Sequence, residues 1–187
     1  MALGNAERSV AAVTRALALR PDYPPAVLTM GSIEYQRHRQ TEGRRLFLSL
    51  LSLPDDDCDI RQIIDTAGSF LIRSRKYADG LELFRGAVER FPDRANLYQG
   101  LGCCAGHEGF FDEAVAAYEK ALALEPKRQD LVNDLGWSLY ESGRLETAIE
   151  VLLRAVSMDS SDELVRENLR ICQQALSKEK SGTGKRK

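Results

Sequence analysis

The stretch Asp112–Pro126 reads DEAVAAYEKALALEP, and the stretch Glu7–Pro21 reads ERSVAAVTRALALRP. The two stretches share the spacing of their apolar residues and the ending Ala-Leu-Ala-Leu, one charged residue and proline, although they lie far apart in the chain. A chain that repeats one segment in this way is typical of a protein built from copies of a single structural unit.

The length of that unit follows from two independent measures. The numbers of Pro92 and Pro126 differ by 34, whereas those of Pro21 and Pro92 differ by 71, which is twice 34 plus three. Four pairs that end in glycine recur at intervals of 37, 34 and 34, namely Met30-Gly31, Ala67-Gly68, Leu101-Gly102 and Leu135-Gly136. Both measures predict a repeat with this period and one insertion of three residues, for which we expect the acidic, turn-like segment Pro54–Asp59.

Each unit carries two helical patterns. In the unit Ala95–Arg128, apolar residues recur at spacings of three and four in two successive segments, which indicates two amphipathic helices. Gly109 and Gly143 follow such segments, where a tight turn between helices requires a residue that tolerates positive φ. The sequence shows no sustained alternation of apolar and polar residues, so it predicts an all-α fold.

A helix–turn–helix unit with this period resembles the tetratricopeptide repeat (TPR) family. The unit Ala95–Arg128 carries this resemblance at Tyr98, Leu101, Gly102, Gly109, Phe111, Ala114, Tyr118, Ala121 and Pro126. Earlier units have His38 and Arg75 where the turn glycine is expected. The resemblance covers residues 5 to about 176, and it implies an α-solenoid of antiparallel helix pairs, the TPR superhelix.

The repeats predict a TPR array over residues 1–176, followed by a disordered basic tail over 177–187. The array comprises a half repeat (5–21), four repeats (about 24–57, 61–94, 95–128 and 129–162) and a capping helix (162–176). The half repeat lacks its partner helix, so we expect Val10, Val13 and Leu17 to be poorly covered.

Composition restricts the function classes. The formal net charge is −2, so no global field draws the chain to nucleic acid, and no apolar run approaches the roughly 20 residues that span a bilayer. The beginning of the chain lacks a signal-peptide pattern, and the four cysteines form no CxxC pair. We therefore expect a cytoplasmic protein that binds no nucleic acid and does not insert into membranes.

Catalytic and metal-binding motifs are absent from the sequence. The two histidines, His38 and His107, lie in no Ser/His/Asp or Cys/His pattern. Cys103 and His107 share a helix face and, with Cys104, could supply two or three metal ligands, but a closed zinc site needs four, and small packing cysteines are the favoured interpretation. We expect no enzyme activity, no cofactor and no metal.

The resemblance implies that the first helix of each unit lines a concave binding groove, and helical geometry indicates which side chains face it. These predicted peptide- or partner-binding residues are Tyr35, Gln62, Asp65, Ser69, Ile72, Arg73, Asn96, Gln99, Cys103, His107, Asp130, Asn133, Asp134, Trp137, Tyr140 and Glu141. Among them, Asn96 and Asn133 are candidates for hydrogen bonds to the backbone of an extended ligand.

Trp137 is the most informative of these residues because amphipathic aromatic side chains are enriched at binding surfaces. With Tyr140 one turn on, it predicts a peptide-binding strip; the alternative is that Trp137 packs against the capping helix near Leu164 or Asn168. The acidic predicted residues outnumber Arg73, so we expect a positively charged ligand segment.

Some members of the resembled family hold the C-terminal carboxylate of heat-shock chaperones with a clamp of lysine, arginine and asparagine. The equivalent positions here carry Gln62, Asp65, Thr66, Ser69, Asn96 and Gly100, so the basic clamp is missing and that function is disfavoured.

We therefore predict a non-enzymatic adaptor or scaffold that binds a peptide or partner protein. Two alternatives remain open. The chain could self-associate or extend a longer array through its N-terminal helix, or it could be the regulatory TPR portion of a larger enzyme.

Overall fold

The computed structural model describes residues 2–55 and 58–183. Its helices are α1 (Ala2–Leu19), α2 (Pro24–Gln36), α3 (Gln40–Ser49), α4 (Ile60–Arg73), α5 (Tyr77–Arg90), α6 (Ala95–His107), α7 (Phe111–Leu124), α8 (Gln129–Glu141), α9 (Leu145–Met158) and α10 (Glu163–Thr183), with a 3-10 turn at Leu50–Ser52. These described residues contain no β-strand. The predicted all-α class is therefore confirmed.

The chain divides into two compact units. Unit 1 ends at Pro92 and contains α1 to α5, and unit 2 begins at Asp93 and contains α6 to α10. In unit 1, α2 packs against α3 and α4 against α5; in unit 2, α6 packs against α7 and α8 against α9. Helix α10 covers α9 and also contacts α8.

The two helices of each pair are joined by three-residue turns whose middle residue has positive φ. The φ values are 60° at His38, 54° at Arg75, 81° at Gly109 and 80° at Gly143. In each turn the following residue donates its N–H to a carbonyl in the last turn of the first helix, for example Lys76 to Leu71 at 2.8 Å and Phe110 to Ala105 at 2.8 Å. This is the Schellman pattern of helix ends, which the repeat adopts with or without glycine.

The glycines that mark the repeat period lie where the two helices of each pair approach most closely. A methyl group built on each would lie within 3 Å of a side chain sixteen residues further along. The pairs are Gly31 with Phe47 (2.4 Å), Gly68 with Phe84 (2.1 Å), Gly102 with Tyr118 (2.7 Å) and Gly136 with Leu152 (2.6 Å). Real Cβ atoms do not approach so closely, so glycine at this position sets the distance between the helices.

The connection between α3 and α4 holds the expected insertion segment. Here the guanidinium group of Arg90 donates to the carbonyl oxygens of Leu51 and Leu53, both at 2.7 Å. The carboxylate of Asp59 accepts the N–H of Arg61 at 3.1 Å and of Gln62 at 3.3 Å, which caps the N-terminus of α4.

The structure corrects the prediction of a disordered tail over 177–187 for residues 177–183. Helix α10 continues to Thr183, well beyond the predicted end of the capping helix at residue 176. The polar composition suggested disorder, but lysine and glutamate are strong helix formers, and Lys180 Nζ lies 3.6 Å from Glu146 Oε1 of α9. Residues 184–187 lie outside the described residues.

Candidate functional site

The predicted binding residues fall in both compact units. Those on α2 and α4 belong to unit 1, and those on α6 and α8 belong to unit 2.

In unit 1, the predicted residues on α4 form an ordinary polar surface. Gln62 and Arg73 are exposed, whereas Asp65, Ser69 and Ile72 are part-buried. Burial raises the pKa of the Asp65 carboxyl above its ordinary value, because desolvation disfavours the charged form.

The structure corrects the prediction for Tyr35, which lies in the core of unit 1. Its ring centroid is 5.4 Å from that of Phe47 and 5.7 Å from that of Phe70. Its hydroxyl donates to Asp79 Oδ2 at 2.9 Å, and Gln40 Nε2 donates to the same oxygen at 2.8 Å. Burial and this hydrogen bond to a carboxylate both raise the pKa of Tyr35. A buried, hydrogen-bonded tyrosine is not available to a ligand.

In unit 2, contacts join several of the predicted residues of α6 and α8: Gln99 approaches Asp130 and Asp134, and Trp137 pairs with Tyr140. We use the name α6–α8 face for Asn96, Gln99, Cys103 and His107 of α6 with Asp130, Asp134, Trp137, Tyr140 and Glu141 of α8. Gln99 and Cys103 are part-buried, whereas Asn96 and His107 are exposed.

Arg128 orders the beginning of the α6–α8 face. Its guanidinium group donates to Asn96 Oδ1 at 2.8 Å, to Gln99 Oε1 at 2.7 Å and to both carboxylate oxygens of Asp130. The hydrogen bond from Arg128 holds the pKa of Asp130 below its ordinary value. One arginine from the loop before α8 thus ties the two helices together through polar side chains.

Asp134 lies one turn further along α8 in a different environment. Gln99 Nε2 is 3.4 Å from its Oδ2, and Asn133 Nδ2 is 3.5 Å from its Oδ1, so both amide contacts are long. Burial raises the pKa of the Asp134 carboxyl, with a further contribution from the charge of Asp130. Asp134 is therefore a part-buried carboxylate with weak hydrogen bonding.

The structure corrects the prediction that Asn133 faces a ligand. Asn133 is buried, and its Oδ1 accepts a hydrogen bond from Asn168 Nδ2 of α10 at 2.9 Å. The amide that was expected to bind a peptide backbone instead joins α8 to the capping helix.

The aromatic residues of the face form a pair. The ring centroids of Trp137 and Tyr140 lie 5.0 Å apart with an angle of 39° between the rings, and both side chains are partly exposed. Leu164, suggested as an alternative packing partner for Trp137, has 64% of its surface exposed. Tryptophan and tyrosine are enriched at interfaces because they combine apolar rings with a polar group.

Of the two cysteines of α6, Cys103 is part-buried and Cys104 is buried. Burial raises the pKa of Cys103, and it raises the pKa of Cys104 to about 12. Within residues 2–55 and 58–183, no group of three or more histidine, cysteine, aspartate or glutamate side chains is arranged to hold a metal ion.

The contacts that three residues make in these environments were missed by sequence reasoning. Arg128 lies in the loop before α8, outside both helical stripes, and Asp79 and Asn168 belong to neighbouring repeats. No spacing pattern within one repeat connects them to Gln99, Tyr35 or Asn133. Their roles arise from contacts between successive helix pairs.

A family profile described as "Tetratricopeptide repeat" matches residues 102–163, about a third of the chain. The chain is 24% identical over 127 residues (68% of the chain, 36% of the relative) to small glutamine-rich tetratricopeptide repeat-containing protein 2 of Mycosarcoma maydis. It is 31% identical over 91 residues (49% of the chain, 16% of the relative) to the peroxisomal targeting signal receptor of Kluyveromyces lactis. The chain thus spans only 36% and 16% of the lengths of these relatives.

Solved structures show the same fold. The crystal structure of YrrB, described as a TPR protein with an unusual peptide-binding site, matches with a TM-score of 0.65 and 20% identity over 89% of this chain and 84% of that one. The first TPR of Spaghetti (RPAP3), bound to the HSP90 peptide SRMEEVD, matches with a TM-score of 0.59 and 17% identity over 63% of this chain and 93% of that one.

These likenesses confirm the predicted α-solenoid class of antiparallel helix pairs. Among the described residues, no helix is long and apolar enough to cross a membrane. The profile match over residues 102–163, the relatives and the recurrent glycine contacts together show that this chain contains tetratricopeptide repeats.

Proposed function

We propose that this chain is a non-enzymatic adaptor or scaffold that binds an extended peptide, or an extended segment of a partner protein, on the α6–α8 face. The observation that carries the proposal is the arrangement of that face. Arg128 fixes its amide and carboxylate side chains at one end, and the Trp137–Tyr140 pair offers apolar surface at the other. Fixed polar groups beside exposed aromatic rings favour peptide binding because little side-chain entropy is lost on association.

The structural neighbours support a peptide ligand, and the charges of the face indicate which kind. The peptide bound to the first TPR of Spaghetti, SRMEEVD, is rich in acidic residues. The α6–α8 face carries Asp130, Asp134 and Glu141, which would repel such a peptide. We infer that the ligand segment here carries positive charge.

The chemistry of the face also favours binding over catalysis. Thiols whose pKa is raised by burial, as at Cys103 and Cys104, are poor nucleophiles because the thiolate is the reactive species. His107 is exposed at the end of α6, away from a buried catalytic environment.

The test is a selection of random dodecapeptides on phage against the full chain. Enriched peptides are then bound to Trp137→Ala and Asp134→Ala variants that retain the helical circular dichroism of the parent. Matched controls in the same unit are Leu153→Ala, an exposed apolar residue of α9, and Glu119→Ala, an exposed acidic residue of α7.

We expect the two variants of the face to lose binding and the two controls to keep it. Enriched peptides that bind all four variants equally would place the binding surface elsewhere. A selection without enrichment would contradict the peptide-binding function itself.

A second function is favoured by the exposure of the first helix. Leu19 of α1 has 81% of its surface exposed, and Val13 and Leu17 are partly exposed although α1 packs against α2. Self-association through α1 would cover these side chains. Light scattering of a Leu17→Glu, Leu19→Glu double variant tests this: a change in molar mass would support self-association, and an unchanged mass would exclude it.

A further inference from the structure

The α6–α8 face contains two carboxylates in contrasting states. Asp130 is neutralised by the guanidinium group of Arg128, which donates to both of its oxygens. Asp134 receives only the two long amide contacts, from Gln99 at 3.4 Å and from Asn133 at 3.5 Å. Within the described part of the chain no ion pair is formed by Asp134 or by Glu141. The face therefore carries carboxylates at Asp134 and Glu141 that form no ion pair within the described residues, and Arg128 acts on Asp134 only through its charge.

Aromatic surface lies beside this charge. Trp137 and Glu141 follow Asp134 by three and seven residues on α8, so the three side chains share one side of the helix. The Trp137 ring pairs with Tyr140, and both are partly exposed. A carboxylate next to aromatic rings suits a planar cation, which can stack on a ring while it donates hydrogen bonds to the acid.

The same face already binds a guanidinium group of its own. Arg128 is held by the amide oxygens of Asn96 and Gln99 together with the carboxylate of Asp130. Gln99 contacts both the bound guanidinium group and Asp134, because its side-chain oxygen accepts a hydrogen bond from Arg128 while its side-chain nitrogen approaches Asp134. The polar groups along α6 and α8 therefore have the geometry to hold such a cation.

We propose that Asp134, Trp137 and Glu141 form a pocket for an arginine side chain of the bound peptide. This proposal rests on the function proposed above and names its specificity. Arginine suits the pocket better than lysine because its planar fork bonds a carboxylate with two nitrogens and stacks on aromatic faces, whereas an ammonium is a strongly hydrated point charge.

The experiment measures binding of hexapeptide pools to the full chain by fluorescence anisotropy of a neutral dye on the peptide. Each pool is randomised except at one central position, which is arginine, lysine, citrulline or glutamate. Citrulline keeps the shape of arginine and removes its charge. The protein variants are Asp134→Asn, Trp137→Leu and, as a matched charge control, Glu119→Gln on the exposed surface of α7.

We expect the arginine pool to bind about tenfold more tightly than the citrulline pool, and more tightly than the lysine pool, since a charge-assisted bidentate contact is lost in both comparisons. The preference for arginine over citrulline should fall to about twofold or less in Asp134→Asn and should persist in Glu119→Gln. Trp137→Leu should weaken the arginine pool more than the citrulline pool.

Equal binding of the arginine and citrulline pools, or a preference that survives in Asp134→Asn, would overturn the arginine pocket and leave peptide binding intact. A lysine pool that binds as tightly as the arginine pool would overturn it as well. Failure of every pool to bind would contradict the proposed function together with the pocket, so the two failures are distinguishable.

Discussion

Tyr35 of α2 and Tyr140 of α8 occupy the same position of the repeat, four residues after Gly31 and Gly136. Tyr35 has only 8% of its surface exposed, and its hydroxyl is bonded to Asp79. Tyr140 is partly exposed, and its ring pairs with Trp137. One sequence position thus gives a core residue in unit 1 and a surface residue in unit 2.

The difference lies in the helices that follow each tyrosine. After α2, unit 1 supplies Phe70 from α4 and Asp79 from α5, and both contact Tyr35. After α8, the described part of the chain supplies α9 and α10, and no later helix corresponds to α5. The next repeat, rather than the tyrosine itself, decides whether the ring is buried. Tyr140 is therefore partly exposed because, among the described residues of unit 2, no helix corresponds to α5.

The largest expected change in stability comes from substituting the two tyrosines. Tyr35→Ala should lower the free energy of unfolding by about 3–4 kcal/mol, because it leaves a cavity beside Phe47 and Phe70 and removes one hydrogen bond to the buried Asp79. Tyr140→Ala should cost less than about 1 kcal/mol, as exposed substitutions do. Urea unfolding followed by circular dichroism measures both values. Similar losses of stability at the two positions would contradict the conclusion that Tyr35 is a core residue and Tyr140 a surface residue.

A smaller effect is expected at the glycines that precede the tyrosines. Gly31→Ala and Gly136→Ala should each cost about 2 kcal/mol, because the new methyl group would collide with Phe47 or Leu152. The control is Gly106→Ala, at the tyrosine position of α6, where the nearest neighbour, Ala114 Cβ, is 3.9 Å away.

Gly106→Ala should instead raise the stability by up to about 1 kcal/mol through helix propensity. The same urea titration applies to all three variants. Losses of stability at Gly31 and Gly136 together with a gain at Gly106 would show that close helix approach is common to both units, although one of their tyrosines is buried and the other is partly exposed. A stabilised Gly31→Ala variant would contradict this interpretation.

Substitutions in the turns should change the free energy of unfolding by about 1 kcal/mol. At positive φ, unit 1 has His38 and Arg75, whereas unit 2 has Gly109 and Gly143. A left-handed conformation costs a residue other than glycine about 1–2 kcal/mol. Glycine avoids this cost, but it also makes the unfolded chain more flexible, which offsets part of the gain in stability. Arg75→Gly should therefore raise the thermal midpoint, and Gly109→Ala should lower it. Unchanged midpoints in both would mean that the turns store no strain.

These residues also show which features of the fold could be predicted from the sequence. The repeat period located Gly31, Gly68, Gly102 and Gly136, and with them the helix pairs, because close approach requires glycine at a fixed position. The period also located the left-handed turns, even at Arg75, where glycine is missing. Features imposed by packing within one repeat were therefore predictable.

Features imposed by neighbouring repeats were not predictable. Asp79 lies 44 residues after Tyr35, and Asn168 lies 35 residues after Asn133, so no pattern within one repeat reveals that these side chains meet. Arg128 was missed because it precedes α8 and belongs to neither helical stripe. The helix over 177–183 was missed because its polar composition was taken as disorder, although lysine and glutamate favour helices.

The smallest effect concerns pH and the two carboxylates of the α6–α8 face. The charged groups that influence Asp134 are Asp130 and Arg128, whereas the nearby Cys103 of α6 and Tyr118 of α7 are uncharged in the acid range where a carboxyl titrates. The pKa of Asp134 is raised above 3.8, so the folded state binds its proton more readily than the unfolded state does. Ionised Asp134 therefore disfavours folding, and its contribution becomes less favourable as the pH rises from the unfolded value through the folded one.

The contribution of Asp130 to stability changes with pH in the opposite direction. Its pKa is lowered by Arg128, so its stabilising contribution is present above the unfolded value and is lost as the pH falls through the folded one. On acidification Asp134→Asn should thus lose stability relative to the parent chain, whereas Asp130→Asn should gain relative to it. Thermal midpoints of the three proteins across an acid series measure both trends. If both variants shifted in the same direction, the ion pair of Arg128 with Asp130 would not be what separates the two carboxylates, and the case for Asp134 as the free acid of the face would fail with it.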